Sequence, residues 1–111
     1  MNIQFRSWIC KPRLMYYNND RRALSFVDHI TSEPILTASV NVVAAEKCAD
    51  DEIFIKDYSE NDGIFEVLVG AEYIHPEVIQ SVHSGHVIIN SYKLTDKALA
   101  LWETRFGKED E

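Results

Sequence analysis

Very little in this chain points to ready-made chemistry. Glycine occurs only four times in 111 residues, widely spaced, which rules out a glycine-rich phosphate cradle. The two cysteines, Cys10 and Cys48, form no Cys-x-x-Cys pair and cannot make a disulfide framework. Both are expected as free thiols of a reducing cytosol. No apolar run approaches the roughly 20 residues that cross a bilayer. The opening residues Met1–Arg6 lack the apolar core of a signal peptide, so no membrane association is expected. There is no internal repeat and no linker. A single domain over 1–111 is expected, frayed at the acidic tail 109–111.

Positive charge is also scarce. Eleven basic residues face eighteen acidic ones, for a net charge of −7. A general nucleic-acid binder has the opposite sign. The imbalance is local: residues 1–45 carry +2, residues 46–77 carry −8, and residues 78–102 carry +1. One reading is a solvated acidic face that keeps a small protein soluble. The other is an acidic patch that meets a basic partner.

The 46% hydrophobic and 26% charged content is that of an ordinary globular chain. Asn2–Trp8 and Leu14–Tyr17 read as strands. Asn18-Asn19-Asp20 reads as a turn, because Asn and Asp tolerate left-handed backbone. Arg22–Val27 alternates, and Ile35–Val43 is the best strand pattern, with Leu36, Ala38, Val40 and Val42 on one face. These strands are expected to form an antiparallel meander. After a strand at Ile53–Ile55, a helix is expected over about Ser59–Ala71. Ser59 would be its N-cap, and Ile64, Phe65, Leu68, Val69 and Ala71 its apolar side. His75–Val82 reads as a short connection with one helical turn. Strand His86–Leu94 follows, then a last helix capped by Thr95 and ended by Gly107. Ala98, Leu99, Trp102 and Phe106 line one side of it. The fold class is α+β: a mostly antiparallel four- to six-stranded sheet with two packed helices.

Four groups of residues could carry chemistry. Asp57, Tyr58, Ser59 and Glu60 stand where a strand hands over to a helix, a common site location. They could bind a ligand or share acid–base work. The simpler alternative is a cap and a corner. His75, His83 and His86 could supply zinc nitrogens, or be plain loop histidines. Asp28-His29 resembles half a catalytic relay without an identifiable nucleophile. Arg6, Lys11, Arg13, Arg21 and Arg22 are interleaved with Trp8, Tyr16 and Tyr17. That mixture can hold single-stranded nucleic acid, or form an ordinary strand surface.

Two resemblances follow from the order of motifs. The C-terminal half, a helix ending Leu-Val-Gly-Ala-Glu-Tyr-Ile, then His86–Leu94 and Leu94-Thr95-Asp96-Lys97-Ala98-Leu99, is similar to the tail of a winged-helix domain. That would make the chain a DNA-binding regulator, although Glu60, Asp62 and Glu66 on the would-be recognition helix oppose phosphate. The longer resemblance covers about Leu14 to Leu94. It consists of Glu33-Pro34 before Thr37-Ala38-Ser39-Val40-Asn41-Val42, Asp51-Glu52 before Ile53-Phe54-Ile55-Lys56, Tyr58-Ser59-Glu60-Asn61-Asp62-Gly63, and Ser84-Gly85-His86-Val87. On these residues the chain resembles an uncharacterised domain family of bacteriophages, plasmids and other mobile elements. The family supplies no catalytic residues. It implies a setting: a bacterial host cytosol and a mobile genome.

Together these readings lead to the expectation of a small non-enzymatic protein that binds another protein and needs no cofactor. The expected contact residues are Asp57, Tyr58, Glu60, Asn61, Asp62 and Glu66. The expected partner is a host protein with a basic or nucleic-acid-binding surface, for example a defence protein of the CRISPR or restriction type. Trp102 and Phe106 could make a homodimer. The alternatives are the winged-helix regulator and a small enzyme or ligand-binding domain built on the 57–60 corner.

Overall fold

A computed structural model describes residues 1–107. The acidic tail 109–111 lies outside the described residues. The elements run β1 (Ile3–Phe5), β2 (Trp8–Tyr16), β3 (Arg22–Asp28), β4 (Pro34–Thr37) and β5 (Glu52–Ile55). A 3-10 turn (Ser59–Asn61), α1 (Ile64–Gly70), β6 (Ile74–Ser84), β7 (Val87–Leu94) and α2 (Asp96–Phe106) follow among the described residues. The class is α+β with two helices, as expected. The strands, however, divide into two antiparallel sheets, ordered β1-β2-β3-β4 and β5-β7-β6.

Local patterns explain most elements. Ile3 and Phe5 are buried while Gln4 is exposed, the period-2 signature of a half-buried strand. Arg6, at φ 55, reverses the chain, so Trp8 opens β2 rather than ending β1. In β2 only Cys10 and Leu14 are buried. In β3, Leu24 and Phe26 are fully enclosed. The Thr95 hydroxyl accepts the Ala98 N–H at 3.1 Å and caps α2, and Gly107, at φ 80, closes it.

Three expected elements differ, the first being the helix expected over Ser59–Ala71, which is a 3-10 turn, Ser59–Asn61, and then the shorter α1 from Ile64 to Gly70. The alternating run Ile35–Val43 keeps strand structure only to Thr37. Ala38 and Ser39 are both buried, which breaks the alternation. Their N–H groups share the Leu24 carbonyl, at 2.9 and 3.2 Å. The Ala38 carbonyl then accepts from Lys56 N, and Val40 N donates to the Phe54 carbonyl. This segment therefore crosses from one sheet to the other. The expected helical turn in His75–Val82 is a strand. Ile74, Val78 and Val82 are β-branched and pair with β7, with register breaks between Ile74 and Val78 and between Val78 and Ser81. The first break accommodates Pro76, which cannot donate to a ladder.

The main core lies between the sheets and the helices. Phe26, Leu24, Ile53, Ile55, Ile64, Leu68, Tyr73, Leu94 and Trp102 are each at most 2% exposed. The Trp102 indole N–H donates to the Met15 carbonyl at 3.1 Å, tying α2 to β2. Tyr73 sets its ring edge-on to Phe26, 5.5 Å between centroids. Burial pushes its phenol well above the usual range. A smaller cluster, Val42, Ala45, Phe54 and Ile89, fills the space under loop 40–50 on the other face of the second sheet.

Trp102 is only 1% exposed and belongs to its own core. It is not free to make the dimer contact expected of it. Phe106 is 47% exposed and rests on Tyr16, 5.0 Å between ring centroids.

Candidate functional site

The corner between β5 and α1 is built by side chain-to-backbone bonds. Lys56 N binds the Ala38 carbonyl, so the chain leaves β5 in a set direction. Asp57 then reaches forward. Its Oδ1 accepts from Gly63 N and Phe65 N, both at 3.0 Å. These are donors at the start of α1 that the helix itself cannot satisfy. Asp57, not Ser59, is thus the capping side chain. Ser59 sits at φ 55 and opens the 3-10 turn, closed by Asn61 N to the Tyr58 carbonyl at 3.0 Å. Gly63, at φ 95, provides the left-handed residue that turns the chain into α1.

The other five expected contact residues separate into three groups. Asn61 is drawn inside, 1% exposed. Its Nδ2 donates to the Thr37 carbonyl at 2.6 Å, and its Oδ1 has no partner among the described residues. Asn61 therefore offers nothing to a surface; it fastens the corner to β4. Glu60 pairs with Lys56, 2.6 Å apart. The Lys56 ammonium holds the Glu60 carboxyl below the usual range, and Glu60 raises Lys56 in return. Tyr58 lies under the same ammonium, 5.7 Å from ring centroid to Nζ, and packs partly on the smaller cluster. Asp62 and Glu66 are exposed, and neither has a cationic partner among the described residues.

The wider acidic segment is less uniform in space than in sequence. Asp51 lies 3.9 Å from Lys93, and Glu72 is paired with Lys97, which lowers the Glu72 carboxyl. Glu52 is 5% exposed. It accepts from Ala49 N at 3.0 Å, from Gln80 Nε2 at 2.6 Å and from the Ser91 hydroxyl. Burial would raise its pKa, but these hydrogen bonds and the nearby Arg21 together lower it. Glu52 thereby locks loop 44–51 to the second sheet. Sequence reasoning counted it as surface charge. The only available signal was its position at the head of an apolar strand.

Two basic residues are likewise occupied. The Arg21 guanidinium donates to the Val42 and Ala45 carbonyls at 2.7 and 2.6 Å. Arg22 lies over the rings of Trp102 and Tyr16, at 5.5 and 5.7 Å, and donates to the Asp50 carbonyl. Both border a cleft of about 270 Å³ with Asn19, Asp20, Glu46 and Cys48. Arg6 lies over Phe5, and Tyr17 bonds Ser39, 2.8 Å apart. The basic and aromatic residues of the first half therefore do not form one stacking face.

The remaining candidates are separated. His75 and His83 stand near opposite ends of β6 and His86 sits in the turn. No group of three metal-ligating side chains occurs among the described residues. Asp28 Oδ1 accepts from Ile30 N and Thr31 N at 2.8 and 3.0 Å. Those two bonds lower its carboxyl and make it a turn residue. Cys10, opposite Asp28 in the ladder, is fully buried. Burial, with Asp28 adding, pushes its thiol up, away from the nucleophilic thiolate. Upstream of the β6–β7 hairpin the described residues hold only one helix, the seven-residue α1, where a helix-turn-helix needs two. No helix is long and apolar enough to cross a membrane among the described residues.

No family model matches the chain, and no curated protein and no solved structure matches it.

Proposed function

We propose that this chain is a small non-enzymatic accessory protein of a phage or other mobile element that binds a basic surface on a host protein. The contact is centred on Asp62 and Glu66, with Glu60 and Tyr58 beside them. Asp57 and Asn61 serve as the scaffold that holds the corner. The observation that carries this reading is that Asp62 and Glu66 are exposed without a cationic partner, on a corner immobilised by the Asp57 and Asn61 hydrogen bonds. Preorganised charge loses little ordering entropy on binding and steers a partner of opposite sign. A host defence protein that binds nucleic acid presents such a surface, with the carboxylates standing in for phosphates.

The test is an affinity capture from bacterial lysate with the wild type and with a double variant, Asp62→Lys and Glu66→Lys. Asp57 is left intact because its loss would disturb the helix cap. A partner retained by the wild type, lost by the variant and released near 1 M salt, where the Debye length is about 3 Å, is the expected result. A partner that binds both forms equally at high salt would remove the acidic corner from the contact. Binding of the wild type to DNA with a steep salt slope would favour a regulator instead.

A further inference from the structure

Two sheets have four edges among the described residues, and three of them are covered or short. The outer edge of β5 is covered by residues 38–40, through Lys56 N to Ala38 O and Val40 N to Phe54 O. β1 is only three residues long and packs against α1. β4 is four residues long, and Asn61 occupies its Thr37 carbonyl. Among the described residues no segment pairs with the outer edge of the eleven-residue β6, where Val78 and Ile79 are about half exposed, at 48% and 50%. Proteins commonly guard such edges with lysine, proline or bulges. Pro76 and the two register breaks guard the first part of β6. Ser81–Ser84 has no guard: it pairs residue for residue with β7.

Turn geometry settles which backbone groups are free. Gly85, at φ 61, is the first residue of the two-residue loop between Ser84 and Val87, as a type II′ hairpin requires. Ser84 and Val87 then form a hydrogen-bonded pair, and the pairs alternate from there. Ser84 and Val82 bond to β7. Ser81 and His83 direct their N–H and C=O groups to the open edge.

The charge pattern selects the occupant. The chain carries −7, yet Val78 to Tyr92 contains no Asp, Glu, Lys or Arg. Two copies repel one another wherever the acidic segment faces them. The hairpin is a neutral surface through which like-charged copies can meet, and its exposed residues include Val78, Ile79 and Ile88. A basic partner would gain nothing there.

We propose that two copies of this chain associate through β6, antiparallel about a two-fold axis at Val82. Ser81 of each copy pairs with His83 of the other. The two three-stranded sheets become one six-stranded sheet, and Val82 meets its own counterpart. The acidic corners remain available to other partners, so this association does not depend on the function proposed above.

Sedimentation equilibrium over rising concentration tests it, on the wild type, His83→Pro and Ile79→Lys. The His83 N–H takes no part in the hairpin ladder, so proline breaks no ladder hydrogen bond, although its ring also fixes φ near −65°. Ile79→Lys guards the edge and lowers the net negative charge, so lost association cannot come from greater repulsion. The wild type should approach twice the 12.8 kDa of one chain, and the variants should stay monomeric with unchanged circular dichroism. If His83→Pro does not fold, Ile79→Lys alone decides. A wild type that is monomeric throughout, or folded variants that still dimerise, overturns the proposal.

Discussion

Changing Glu52 to Ala tests the claim that one buried carboxylate fastens loop 44–51 to the second sheet. Glu52 is 5% exposed and Ser91 is fully buried. After the change, the Ser91 hydroxyl has no water to turn to, and the Gln80 amide loses its 2.6 Å partner. Hydrogen bonds to a charged group contribute about 1.5–3 kcal/mol each, and an orphaned buried donor costs about 1–3 kcal/mol. Part is returned, because the variant no longer desolvates a carboxylate. A net loss of about 2–4 kcal/mol is expected. For a domain of this size each 1 kcal/mol moves Tm by about 4–5 °C, so Tm should fall by roughly 10–20 °C. The pH dependence supplies a second readout. The folded pKa of Glu52 is lowered because its hydrogen bonds and Arg21 outweigh burial. Its contribution is therefore complete above the unfolded carboxylate pKa of about 4.3. It is lost as pH falls through the lower folded value. Thermal melts followed by circular dichroism, at pH 7 and in steps down to pH 3, would compare the wild type with Glu52→Ala and Glu52→Gln. The wild type should lose more stability than Glu52→Gln across the acid steps. An unchanged Tm for Glu52→Ala at pH 7, or parallel acid profiles for the wild type and Glu52→Gln, would refute the reasoning.

Three further outcomes are expected. Asp57→Ala should lower stability by about 0.5–2 kcal/mol in urea unfolding, whereas Ser59→Ala should change it by less, because the Asp57 carboxylate holds Gly63 N and Phe65 N. Trp102→Ala should cost about 3–5 kcal/mol by the same assay, and Phe106→Ala, at a residue 47% exposed, should cost much less. In a thiol titration Cys10, fully buried, should react only on unfolding; Cys48, half-buried with its thiol also raised by burial, should react first but slowly.

What could be read from the chain was what short-range geometry encodes. The alternation of Ile3, Gln4 and Phe5 places the buried face of β1 without reference to a partner, whereas β3 buries Ala23 and Val27 as well as Leu24 and Phe26. Thr95 and Gly107 bound α2 because a cap and a left-handed stop are made within one turn of chain. The motif Lys56–Gly63 marks a corner correctly, but its spacing points to Ser59 as the cap where Asp57 supplies it. A side chain six to eight residues before its N–H partners competes with nearer candidates, and sequence spacing cannot rank them. His75–Val82 reads as a connection with one helical turn, because Pro76 interrupts any strand pattern there. Only pairing with β7 makes its β-branched residues a strand.

By itself the sequence determined an acidic α+β chain, the buried face of β1, both ends of α2, and an uncharged run from Val78 to Tyr92 in a chain of −7. Each follows from composition or from neighbours a few residues apart. Only the tertiary structure decided that residues 38–40 cross between two sheets and that Trp102 faces its own core rather than a partner. It also decided which carboxylates stay free, since Glu52 is buried and Glu60, Asp51 and Glu72 are neutralised. Those outcomes depend on contacts between residues far apart in the chain, and burial and pairing are properties of the assembled fold.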